Sequence, residues 1–110
     1  MLLVTVFRDS EGRVVSLEAE GHVGFAERGS DVICAGASAV ILTAILGVTE
    51  VIGITSGLEQ EDGYLYFSVP EDAPEDIAEK IQVVLETAIQ GLVMIKKHYP
   101  EGFRLVTENI

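Results

Sequence analysis

Tryptophan is absent from this 110-residue chain, aromatic residues make up only 6% of it, and cysteine occurs once. Without large rings the core has to be aliphatic, and 48% of the residues are hydrophobic. That fraction excludes an intrinsically disordered chain, which lacks the apolar surface to offset its ordering entropy. A single cysteine excludes an intrachain disulfide and a multi-cysteine metal cage. It suits a reducing compartment, so a cytoplasmic location is expected. Bases are scarce as well: seven Lys and Arg stand against eighteen acids, a net charge of −11. Phosphate backbones are held by Lys and Arg, so direct nucleic-acid binding is not expected. The opening Met-Leu-Leu-Val-Thr-Val-Phe-Arg has no basic leader and too short an apolar run for a secretory signal. At this length the expectation is one domain spanning residues 1–110.

One uncharged stretch, residues 32–49, reaches the lower length limit of a membrane span. It holds Gly36, Ser38, Thr43, Gly47 and Thr49, and is flanked by Asp31 and Glu50 without a positive-inside bias. A buried helix of a globular domain accounts for it better, and no membrane partner is expected. A helix apolar on every side has to be covered on every side, which points to a second subunit. No Lys or Arg occurs between Arg28 and Lys80, an interval that carries ten acids. Such a surface either keeps the chain soluble or steers a basic partner toward a site.

The apolar periodicity predicts the element order. Residues 2–7 and 14–20 read as strands around the Asp9-Ser10-Glu11-Gly12 turn, with Val15, Leu17 and Ala19 on the core face. Glycines at 21, 24 and 29 make residues 21–29 a loop. A helix capped by Asp31 runs to about Ile52, a hairpin turns at Asp62-Gly63, and a second helix fills residues 74–98. Its stripe is Ile77, Ile81, Val84, Leu85, Ala88, Ile89, Leu92 and Ile95, and Lys96, Lys97 and His98 suit its carbonyl end. A strand over 103–107 closes the chain. The order ββ-α-ββ-α-β predicts an α+β two-layer sandwich, with two helices on one face of a mostly antiparallel sheet.

The densest chemistry lies between His22, at a strand end, and Cys34, in the first turn of a helix. A helix N-terminus favours a thiolate, a nearby imidazole can take the thiol proton, and free backbone N–H groups can hold an oxyanion. Those are the parts of a cysteine peptidase. The plainer alternatives stand beside it: Cys34 as a small buried hydrophobe and His22 as a hydrogen-bonded strand-end residue. Asp31 is either the helix cap or the group that orients His22. Ser38, one turn after Cys34, either donates a hydrogen bond to the sulfur or the substrate or allows close helix packing. Arg28 is a solvated loop charge or a substrate contact. Phe25 is an apolar loop side chain that packs on its own domain or covers a bound peptide. Residues 23–30 are expected to act as a lid hinged at Gly24 and Gly29. No further ligand-spaced His or Cys accompanies the acids, so neither metal nor cofactor is expected.

Gly21-His22 followed by Asp31-Val32-Ile33-Cys34-Ala35-Gly36-Ala37-Ser38 resembles the bacterial ribosomal-processing cysteine protease family, the Prp or YsxB-like group, and the resemblance extends over essentially the whole chain. It implies a cytosolic cysteine endopeptidase whose nucleophile is Cys34 and whose general base is His22, with Gly21, Asp31 and Ser38 in the motif. It also implies a homodimer. The substrate it implies is the N-terminal extension of the twenty-seventh large-subunit ribosomal protein, and a basic peptide of that kind suits an acidic enzyme. A non-catalytic acidic module that binds a ribosomal protein, and a thiol sensor or transferase, are the competing readings.

Overall fold

The computed structural model describes residues 1–21 and 29–110, with the backbone alone for 29–31. The described residues form β1 (Leu3–Arg8), β2 (Val14–Glu20), α1 (Gly29–Leu46), a π-helical continuation (Gly47–Ile52), β3 (Leu58–Glu61), β4 (Tyr64–Ser68), α2 (Glu75–His98) and β5 (Arg104–Asn109). The sheet order is β3-β4-β2-β1-β5, antiparallel throughout except for the parallel β1–β5 pair. This is the expected α+β sandwich. The parallel pair follows from α2, which carries the chain back to the end of the sheet where β1 begins.

Register lines the core up in rows. Leu65, Ala19, Val4 and Leu105 are successive partners across four strands, and Phe67, Leu17 and Val6 make the next row. Against them α1 buries Cys34, Ala37, Ile41, Ala44 and Ile45, and α2 buries Ile81, Leu85, Ile89 and Leu92. Apart from the adjacent pair Ala44 and Ile45, both sets step by three or four residues, the spacing of a single helical face. An Arg8–Glu86 ion pair (2.7 and 3.1 Å) ties the end of β1 to α2, and the carboxylate raises the Arg8 pKa further.

Three expectations shift. The β1–β2 register slips at Phe7/Arg8, so Arg8 pairs with Val14. Beyond that bulge Val14 enters the core while Val15 is only half-buried. The first helix begins at Gly29, so Asp31 lies inside its first turn and not ahead of it as a cap. Cys34 is accordingly the sixth helical residue, in the second turn. The outer side of α1 is uncovered in the single chain: Val32, Leu42 and Leu46 are exposed, as is Val51 just beyond it.

Candidate functional site

Cys34 stands at the head of the core stripe of α1 and is 5% exposed. Its S–H donates to the Gly102 carbonyl oxygen at 3.3 Å, a contact across 68 residues of sequence. Ser38 follows one turn later, about 6 Å along the axis at 1.5 Å per residue. It is also buried, and among the described residues its Oγ has no hydrogen-bond partner. A buried hydroxyl is ordinarily satisfied, which makes this one a candidate binding group.

What lies beside Ser38 is a groove of about 530 Å³ between α1 and the β3–β4 hairpin. Leu2, Ala19, Ile41 and Leu65 form its apolar floor, Leu42 stands on the helix side, and Gln60, Glu61, Asp62 and Tyr64 line the hairpin side. Glu61 and Asp62 are exposed. Tyr64 is anchored by donating its hydroxyl hydrogen bond to Glu18 at 2.8 Å. That bond, with burial and the field of Glu18, Glu59 and Glu20, pushes the Tyr64 pKa up from 10.0 to about 12.

Gly21 has a structural reason to be glycine. Its φ is +114°, and a Cβ there would lie 2.3 Å from the Met1 carbonyl oxygen. Its N–H donates to the Gly63 carbonyl at 3.0 Å, so the end of β2 is pinned to the hairpin that walls the groove. His22, Phe25 and Arg28 lie outside the described residues, as do the Asp31 side chain and most of the expected lid over 23–30. The described side chains of the motif, Cys34 and Ser38, share one face of α1. At the far helix, His98 donates from Nδ1 to the Met94 carbonyl at 3.0 Å, in keeping with its place at a carbonyl end. Among the described residues no three His, Cys, Asp or Glu side chains are grouped to hold a metal ion.

Two contributors were not singled out from sequence. Lys96 reads as a helix-end cation and Gly102 as a helix stop, yet Gly102 meets Cys34 and Lys96 holds the Pro100 and Phe103 carbonyls on either side of that glycine. The only signal was the Lys96-to-Pro100 spacing, which is compatible with a lysine reaching forward to free carbonyls.

Comparison with known proteins adds a third strand of information. Residues 1–104 match the family model described as cysteine protease Prp. The ribosomal processing cysteine protease Prp of Bacillus subtilis (strain 168) is 33% identical over 112 aligned residues, covering all of both chains. The Staphylococcus aureus protein of the same description is 33% identical over 109, covering 96% of this chain and 97% of its own. Among solved structures, SMU.848 from Streptococcus mutans has a TM-score of 0.84 at 24% identity, over 100% of this chain and 96% of that one, and shows the shared fold. The essential ribosomal processing protease Prp from S. aureus, with a covalently linked product peptide, has a TM-score of 0.77 at 28% identity, over 98% and 100%. It has also been solved with a substrate peptide.

Proposed function

The chain belongs to the cysteine protease Prp family, and from that membership we propose that it removes the N-terminal extension of the twenty-seventh large-subunit ribosomal protein, with Cys34 as nucleophile and His22 as general base. One observation carries the assignment of the nucleophile: a cysteine protease needs a cysteine, and this chain has one. In the reaction, the Cys34 proton passes to the His22 imidazole and sulfur attacks the scissile carbonyl carbon. The C–S bond forms, the C–N bond breaks, and His22 returns the proton to the departing amine. Water then hydrolyses the thioester, releasing the new carboxylate and restoring the thiol. The S. aureus relative holding a covalently linked product peptide supports a covalent route.

The groove supports a peptide substrate of particular chemistry. Its floor is apolar and its hairpin wall is acidic, a combination suited to an extended segment carrying both apolar and basic side chains. The Ser38 hydroxyl, unpartnered among the described residues, would hydrogen-bond that segment's backbone. The working unit is a cytoplasmic homodimer, with a second copy covering the outer side of α1. Two chains of net charge −11 repel over most of their surfaces, and the uncharged helix over residues 32–49 is where they can meet.

The test is direct: incubate the protein with the extended ribosomal protein and weigh the products by mass spectrometry. A shortened chain is expected from the native protein and none from Cys34→Ala or His22→Ala. Cleavage surviving in Cys34→Ala would remove the mechanism. An uncleaved extended substrate that nevertheless binds would favour the acidic binding module.

A further inference from the structure

The connection between α2 and β5, residues 99–103, is fastened at both ends. Lys96 donates from Nζ to the carbonyl of Pro100 and, at 2.8 Å, to that of Phe103. Its ammonium also lies 6.0 Å over the ring of Phe103, which is fully buried. Within the segment the Gly102 N–H donates to the Tyr99 carbonyl at 3.0 Å. The Gly102 carbonyl is left to accept the Cys34 S–H. A Cβ on residue 102 would stand 2.3 Å from Cγ2 of Ile33 and 2.9 Å from its Cβ, so the segment is pressed onto α1 beside the cysteine. One cation thus gathers a backbone turn whose free carbonyl meets the thiol.

A thiol donates only while it holds its proton, and a thiolate has nothing to offer a carbonyl oxygen. The contact therefore suits a resting thiol turned toward the connection. Ser38 lines the groove; among the described residues Cys34 does not. We propose that Lys96 is a positioning residue that sets the resting orientation of the Cys34 thiol through the Gly102 carbonyl. The thiol leaves that carbonyl when its proton passes to the base and its electron pair turns to the peptide. The proposal rests on reading Cys34 as the nucleophile.

Because Cys34 is the one thiol, alkylation by iodoacetamide in the full-length, substrate-free chain reads its accessibility and reactivity alone. Lys96→Met should raise the second-order rate about fivefold, the effect of losing one modest hydrogen bond. Lys96→Arg, which keeps a donor to the same carbonyls, should stay within about twofold of the native rate. Arg8→Met, which breaks the ion pair to Glu86 on another part of the molecule, should leave the rate unchanged and controls for general loosening. An unchanged rate in Lys96→Met, or an equal rise in Arg8→Met, overturns the proposal. Should Lys96→Met not fold, the carbonyl ¹³C resonance of Gly102 decides: it should move in Cys34→Ala, and a resonance that does not move overturns the contact. Alkylation needs no substrate. A chain showing this pattern without cleaving peptide would therefore defeat the protease reading and leave the positioning of the thiol standing.

Discussion

The side-chain amide of Gln82 on α2 bonds the backbone of Val14 in both directions, accepting from its N–H at 3.1 Å and donating to its carbonyl at 2.7 Å. The β-bulge at this point leaves Val15 unpaired with β1 and sets Val14 opposite Arg8, and Gln82 supplies hydrogen-bond partners to the Val14 backbone beside it. Gln82→Leu keeps comparable bulk and removes both bonds. It should lower unfolding free energy by about 2–4 kcal/mol, since two partly buried backbone groups lose their partners. Urea denaturation checks this, and a loss under about 0.5 kcal/mol would mean that water replaces the amide freely.

Val14 also illustrates what a linear reading captures. Alternation located β2 to the residue and put Leu17 and Ala19 inside, because those positions obey a period of two. It assigned Val15 to the core where Val14 sits, because a one-residue bulge reverses the alternation beyond it and leaves no compositional trace. The long second helix was legible down to its buried stripe, since Ile81, Leu85, Ile89 and Leu92 repeat cleanly. The start of α1 was not: Gly29 and Ser30 are poor helix formers, and Asp31 looked like the first plausible cap. Cys34 and Ser38 were legible as neighbours because four residues make a helical turn. The Gly102 carbonyl on Cys34 was not, because contacts across 68 residues depend on where α2 ends.

Tyr64 and Glu18 give the molecule a signature at high pH. With its proton held by the Glu18 carboxylate, Tyr64 titrates at about 12 in the folded chain against 10.0 for the ordinary phenol. Its folded pKa is raised, so this contribution to stability is whole below pH 10.0 and is lost as pH rises toward 12. Phenolate absorbance, taken as the difference between native protein and Tyr64→Phe, should show the late titration. Glu18→Gln should bring it to lower pH by removing the charged acceptor. A Tyr64 phenolate forming near pH 10 in the native chain would contradict the bond.

Leu46 is 56% exposed on the outer side of α1, with Leu42 nearby at 40%. Leu46→Lys leaves the monomer's core untouched and should change its stability by no more than about 0.5 kcal/mol. It places an unpaired charge in the proposed contact between copies. Light scattering should therefore give twice the 11.8 kDa chain mass for the native protein and the single mass for the variant. A native protein at the single mass would refute the dimer.

Ser38 separates binding from folding. Among the described residues its buried Oγ has no partner, so their contacts give that hydroxyl no bond in return for its desolvation cost. Ser38→Ala should leave Tm unchanged or slightly raised. With a peptide in the groove the hydroxyl gains its acceptor or donor, so the same variant should raise KM about five- to tenfold, the loss of one hydrogen bond of ordinary strength. Thermal melts and steady-state kinetics on one preparation test both halves. A fall in Tm with unchanged KM would make Ser38 a packing residue only.

Glu61 and Asp62 stand exposed on the hairpin wall of the groove, inside an interval that carries no basic residue. If they attract a basic peptide, kcat/KM should fall as salt is added, because charges at that exposure are screened over about 8–10 Å near physiological ionic strength. Replacing both, as Glu61→Gln with Asp62→Asn, should lower kcat/KM about two- to fivefold at low salt, mostly through KM, as expected for exposed charge pairs. The same double variant should lose much of the salt dependence, since Glu61 and Asp62 are the acids that line the groove among the described residues. Stopped-flow association of a fluorescent basic peptide at several salt concentrations would isolate the encounter step. A native kcat/KM that stays flat across that range would mean these carboxylates only keep the surface soluble, and that recognition lies in the apolar floor.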